Sequence, residues 1–155
     1  MILFKKEETL YLVNGKMNKL PDLPKKNKKQ EANFSLVFRD YITKNPIKYP
    51  CWFEIKDTRG AKNFNLREWK QEQRDFAESL KYSKKGILVR TDGVRGLPDY
   101  KFAFHEPTFV VIKFNEGFSI IEAETLNMQK GSTIDFESSK EISHITVKKE
   151  KPHRE

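Results

Sequence analysis

The strongest constraint on the fold is the run Cys51-Trp52-Phe53-Glu54-Ile55-Lys56-Asp57. In an extended strand, successive side chains point to opposite faces. Cys51, Phe53 and Ile55 then point one way, and Trp52, Glu54 and Lys56 the other. A strand with that apolar flank is no exposed edge, so a carboxylate and an amine are expected side by side on an interior strand. Burying polar groups is costly unless they are paired.

The flanks supply candidate partners. Glu31 to Thr43 predicts a helix, because Phe34, Val37, Phe38, Tyr41 and Ile42 recur at helical spacing, and Asn45-Pro46 stops it. Glu31 shares that apolar face. After the turn Thr58-Arg59-Gly60, Leu66 to Tyr82 predicts a second helix with the stripe Leu66, Trp69, Phe76, Ala77 and Leu80, ended by Gly86. Gln73 falls within the stripe. Glu31, Glu54 and Gln73 lie on separate elements, which suggests one shared polar pocket. The Glu54 strand is therefore expected to be central in a mixed sheet, with both helices packed on it.

Downstream, Ile87 to Thr91 predicts a short buried strand and Asp92 to Asp99 a loop. Thr108 to Phe114 and Phe118 to Ala123 predict a hairpin around Asn115-Glu116-Gly117. Beyond Lys130 the pattern is weak. Upstream, residues 1–29 predict an N-terminal arm: a strand over Thr9 to Val13, a turn at Asn14-Gly15 and a basic linker. The domain proper is expected over 30–147, and residues 148–155 as a disordered basic tail.

Composition narrows the class. The 155 residues suit one domain, and 30 Lys+Arg against 22 Asp+Glu leave a formal charge of +8. Such an excess favours a polyanionic partner, because neutralising phosphates releases counterions. The single cysteine, Cys51, rules out an intrachain disulfide and favours a reducing, cytoplasmic setting. No apolar run approaches the length of a membrane helix. The start Met1-Ile2-Leu3-Phe4-Lys5-Lys6 reverses the charge order of a secretory signal, so none is expected. His105, His144 and His153 are scattered, which disfavours a histidine metal site, and no glycine-rich phosphate loop is present.

Glu54 and Lys56 carry the sharpest chemical signal. The carboxylate can hold a divalent cation, the Ile55 carbonyl can add a ligand, and the lysine can orient water or offset charge growing on a phosphate. Alone, Glu-x-Lys is also the pattern of a surface ion pair.

The order of elements, a helix with Glu31, a strand with Glu54-Ile55-Lys56, a turn and a helix with Gln73, resembles the PD-(D/E)XK nuclease superfamily. More narrowly, Glu31-x-x-Phe34 with Phe38-Arg39, then Phe53-Glu54-Ile55-Lys56-Asp57-Thr58, then Gln73, is similar to the small phage and bacterial Holliday-junction resolvases. Thr108-Phe109-Val110-Val111-Ile112 and Gly117-Phe118-Ser119-Ile120-Ile121 resemble that group's closing hairpin. The resemblance spans about residues 30–126. It implies an α/β restriction-endonuclease-like fold, Mg²⁺ or Mn²⁺ as cofactor, DNA (four-way junctions included) as substrate, and a homodimer. Glu54, Ile55 and Asp99 would hold the metal, with Glu31 as an added ligand or base. Lys56 would position water, and Gln73 would contact the scissile phosphate or hold Lys56. Lys25, Lys26, Lys28, Lys29, Arg39 and Arg59 would follow the DNA backbone.

The chain departs from the superfamily at its first acid, normally on a strand just before the Glu-x-Lys strand. No acid occurs in Asn45 to Pro50. Asp40 falls on the polar side of the first helix; Asp99, in Leu97-Pro98-Asp99-Tyr100, is preferred as a ligand arriving from a different loop. Two other readings stay open. One is a non-catalytic nucleic-acid-binding protein on a degenerate nuclease scaffold, and the other is an interaction protein whose Glu54 face is covered by other side chains.

Overall fold

The computed structural model describes residues 9–13, 16–19, 29–45, 47, 49–90 and 100–149, with side chains from residue 36 onward except those of Arg90 and Lys101. Asp99, Lys25, Lys26, Lys28 and the tail beyond 149 lie outside the described residues, as do the side chains of Glu31 and Lys29. The elements are β1 Thr9–Val13, β2 Lys16–Lys19, α1 Lys29–Lys44, β3 Cys51–Asp57, β4 Asn63–Asn65, α2 Gln71–Tyr82, β5 Ile87–Arg90, β6 Tyr100–Ala103, β7 Thr108–Phe114, β8 Gly117–Glu122, α3 Ala123–Asn127, β9 Thr133–Asp135, α4 Phe136–Ile142 and β10 Ile145–Lys148. Among them no helix is long and apolar enough to cross a membrane.

The result is a mixed α/β fold around a six-stranded sheet in the order β10-β8-β7-β3-β1-β2. β3 is interior: it pairs parallel with β7, Glu54 opposite Val110, and antiparallel with β1, Glu54 opposite Thr9. The N-terminal hairpin thus extends the central sheet. A parallel pair needs a long crossover; here α2 and the separate β5–β6 hairpin lie between β3 and β7 in the chain.

The alternation within β3 divides the core. Cys51, Phe53 and Ile55 pack with Phe38 and Ile42 of α1 and with Phe109, Val111, Phe118 and Ile120 on one face. On the other face, Trp52 packs with Phe76 and Leu80 of α2 and with Val89 and Ala103 of the β5–β6 hairpin. Further along that second face, Val110, Ile112 and Ile121 gather Leu66, Trp69, Leu126, Ile134 and Phe136. The two helices therefore flank the sheet from opposite sides.

Two expectations need correction. The segment from Leu66 to Tyr82 is not one helix: a 3₁₀ turn over Leu66–Glu68 is capped by the Asn65 side chain, which accepts from the Arg67 N–H, and α2 starts only at Gln71. The break arises because Lys70 is extended and its N–H donates to the Gln73 side chain at 3.1 Å, a side-chain cap that starts a helix where periodicity sees only continuation. The strand at Ile87 is not buried throughout: Val89 is interior but Leu88 is half exposed, since among the described residues β5 pairs with β6 alone in a two-stranded hairpin. Beyond Lys130, where the sequence pattern is weak, the described residues form β9, α4 and β10. There, α4 begins with Asp135 capping the Ser138 N–H, and β10 adds an antiparallel edge to β8.

Candidate functional site

Glu54, Lys56 and Gln73 are all buried. Their side chains meet: Gln73 Nε2 donates to Glu54 Oε1 at 3.0 Å, and Lys56 Nζ donates to Gln73 Oε1 at 3.0 Å. The same Gln73 oxygen takes the Lys70 N–H. The amide can adopt only this orientation, because a flip would set its oxygen against the carboxylate and its nitrogen against the ammonium. Gln73 therefore links an acid and a base two residues apart on β3, and β3 and α2 hold the trio together.

The backbone of β3 adds a further group. Trp52 N–H donates to Pro107 O and Thr58 N–H to Lys113 O, so the even-numbered residues of β3 bond to β7. The Ile55 carbonyl consequently points toward the β1 side, beyond Thr9, the first described residue of β1. A carboxylate and a main-chain carbonyl are hard oxygen donors of the kind Mg²⁺ takes. Among the described residues no three His, Cys, Asp or Glu side chains cluster to complete a metal site.

Past Lys56 the strand opens on a cavity of about 270 Å³, lined by Lys56, Asp57, Arg59, Asn63, Asn65 and Glu68 among others. Asp57 accepts the Arg59 N–H at 2.8 Å through Oδ1, while its buried Oδ2 lies 3.8 Å from Lys113 Nζ. Arg59 is exposed and takes a left-handed backbone (φ 55), which aligns that N–H with the aspartate. In the sequence Asp57 carries no role of its own, since it merely continues the Glu54-Ile55-Lys56 run, and Glu68 is visible only once the 3₁₀ turn places it.

Trp52 is also part of the site's wall. Its indole Nε1 donates to Glu106 Oε2 at 2.7 Å, and the Glu106 N–H donates to Leu80 O. Glu106 was not singled out, since nothing local to Glu106-Pro107 marks it as interior. Cys51, on the opposite face, is a core thiol. Burial pushes its pKa up to about 12, with the Glu106 charge adding to the effect, and a thiol so raised is no nucleophile.

The remaining expected residues are placed as follows. α1, which carries Glu31 and Arg39, packs on the face of the sheet opposite Glu54; Arg39 is half-buried there. Asp40 is exposed and paired with Lys44 at 3.0 Å, away from Glu54. The chain matches no family model, no curated protein and no solved structure.

Proposed function

We propose that this chain is a Mg²⁺- or Mn²⁺-dependent endonuclease that hydrolyses DNA phosphodiester bonds, with branched DNA such as four-way junctions as its substrate, on a restriction-endonuclease-like elaboration of the mixed sheet. The observation that carries the reading is the buried Glu54–Gln73–Lys56 chain on the central strand. Desolvating an acid and a base costs several kcal/mol each, on the order of what their pairing returns, so apolar residues would serve stability alone as well.

In this reading Glu54 and the Ile55 carbonyl hold the cation, and Asp99 supplies the remaining carboxylate. The bound metal supplies Lewis-acid activation of water and of the phosphate. Lys56, its ammonium held by Gln73, orients the water, and Arg59 at the mouth of the adjoining cavity meets the flanking phosphate. The lysines at 25, 26, 28 and 29 extend the backbone contact, whereas Arg39, half-buried on the opposite face of the sheet, takes no part in it. Cutting two strands of a symmetric junction needs two such sites, hence a homodimer; the lone buried cysteine suits a reducing, cytoplasmic setting.

One observation favours a second reading: no third metal-ligating side chain joins Glu54 among the described residues, as expected of a nucleic-acid-binding protein on a degenerate scaffold. Incubating the folded protein with four-way junction, duplex and single-stranded DNA, with Mg²⁺, Mn²⁺ or EDTA, separates the two. The expected result is metal-dependent junction cleavage that falls at least about a hundredfold in Glu54→Gln, Lys56→Ala and Asp99→Asn. Binding without cleavage under every metal condition would select the second reading.

A further inference from the structure

The outer face of the β5–β6 hairpin gathers several exposed apolar side chains. In its antiparallel register Leu88 lies opposite Phe102 and Arg90 opposite Tyr100, so positions 88, 90, 100 and 102 share one face. Leu88 is 49% exposed, Tyr100 46% and Phe102 59%, and Phe104, two residues on, is 49% exposed. The inner face is the reverse: Val89 and Ala103 are buried against Trp52, Phe76 and Leu80. The hairpin is thus fixed through Trp52 to the strand that carries Glu54, while it holds three aromatic rings out to solvent.

Two details indicate that the Phe102 and Phe104 rings are held in place. Gly86 has φ +72, and a Cβ there would collide with the Phe102 ring, so that ring lies directly across the glycine backbone. Phe104 meets the His105 ring edge-on, with centroids 4.1 Å apart, and His105 is anchored through Nδ1 to Lys81 O at 2.9 Å.

We propose that this aromatic face is a stacking platform for unpaired nucleic-acid bases. Charge selects the partner. Strands β5 and β6 contain no acid, and exposed Lys84 and Lys85 occupy the turn before β5. Two copies of the chain docked through this face in a symmetric dimer would bring those cations together, whereas a polyanion is drawn to them. Spacing selects the state of the nucleic acid. Rings two residues apart on a strand stand about 6.8 Å from each other, roughly twice the 3.4 Å rise per nucleotide of a duplex strand. Bases still stacked in a duplex cannot each meet a ring, but splayed bases can. The proposal rests on the DNA-cutting reading for the identity of the polymer, and it adds a preference for the unpaired bases at branch points.

The test is fluorescence anisotropy in EDTA, with labelled oligothymidylate and a blunt duplex, on wild type, Phe102→Leu, Phe102→Trp and Phe104→Ala, each checked for a native melting transition. Phe102→Leu keeps apolar area but removes the π-face. It and Phe104→Ala are expected to weaken oligothymidylate binding about fivefold to a hundredfold each, with duplex binding unchanged and Phe102→Trp near wild type. Equal oligothymidylate affinity in all four proteins overturns the proposal. So does a dimer that dissociates in Phe102→Leu while oligothymidylate affinity holds, which would assign the face to a second copy. Ring-dependent binding by a protein that never cuts DNA would uphold the platform and remove the endonuclease; cutting lost in Glu54→Gln with ring-independent binding would do the opposite.

Discussion

Gln73 is the residue on which the candidate site turns, because one amide serves three neighbours. It donates to Glu54, accepts from Lys56 and accepts from the Lys70 N–H that opens α2. Replacing it with Met keeps the volume and removes both polar ends, leaving the buried Glu54 carboxylate without this donor. Loss of a hydrogen bond to a buried charged group costs about 1–3 kcal/mol, so Gln73→Met is expected to lower the unfolding free energy by that amount in a urea titration. Gln73→Glu should be worse at neutral pH, since a second carboxylate then faces Glu54. A Gln73→Met protein as stable as wild type would mean that the amide only fills space.

At the scale of elements, two of the contacts that anchor α2 differ in kind. Phe76 is fully buried, with its ring edge-on to Trp52 at 5.6 Å. Lys81, near the helix end, bonds Glu122 at 2.7 Å and Glu124 at 3.0 Å. Burial pulls the Lys81 pKa down, but the two carboxylates more than reverse this and leave it raised. Both carboxylates are about two-fifths exposed, so water screens the pair. Phe76→Ala is expected to cost about 3–5 kcal/mol and Lys81→Ala under about 1 kcal/mol, as measured by chemical denaturation; the reverse ranking would show that α2 is held by charge. The same contrast explains what could be read in advance. β3 and the stripe of α2 were legible because burial imposes a period, and Gln73 stood out as a polar break in an apolar stripe. The late start of α2 was hidden, because its cap is a side chain whose other partners come from β3. The β5–β6 pairing was hidden as well: Leu88 and Val89 look alike in sequence, and only the ladder decides which one faces water. Glu106 joined the site through a contact 54 residues away in the chain.

The whole molecule carries a formal charge of +8. If DNA is its partner, the logarithm of affinity should fall linearly with the logarithm of salt, with a slope of about −0.9 per phosphate contacted on duplex DNA. A flat plot between 50 and 200 mM salt, roughly the range over which several phosphate contacts cost orders of magnitude in affinity, would count against any electrostatic grip. Arg59→Ala should reduce the slope by about 1 if that arginine meets a phosphate.

The parallel pairing of β3 with β7 also has a consequence for synthesis. Glu54 lies opposite Val110, so the chain must grow through all of α2 and the β5–β6 hairpin before the strand bearing the acid and the lysine gains its inner neighbour. At about 5–20 residues per second, that wait lasts on the order of 3–11 s. During it β1, already made, can shield only one edge of β3. The apolar flank that makes this strand the centre of the finished sheet is then an uncovered, adhesive surface of the nascent chain, and ribosome-bound lengths ending before Thr108 are where chaperone capture should peak.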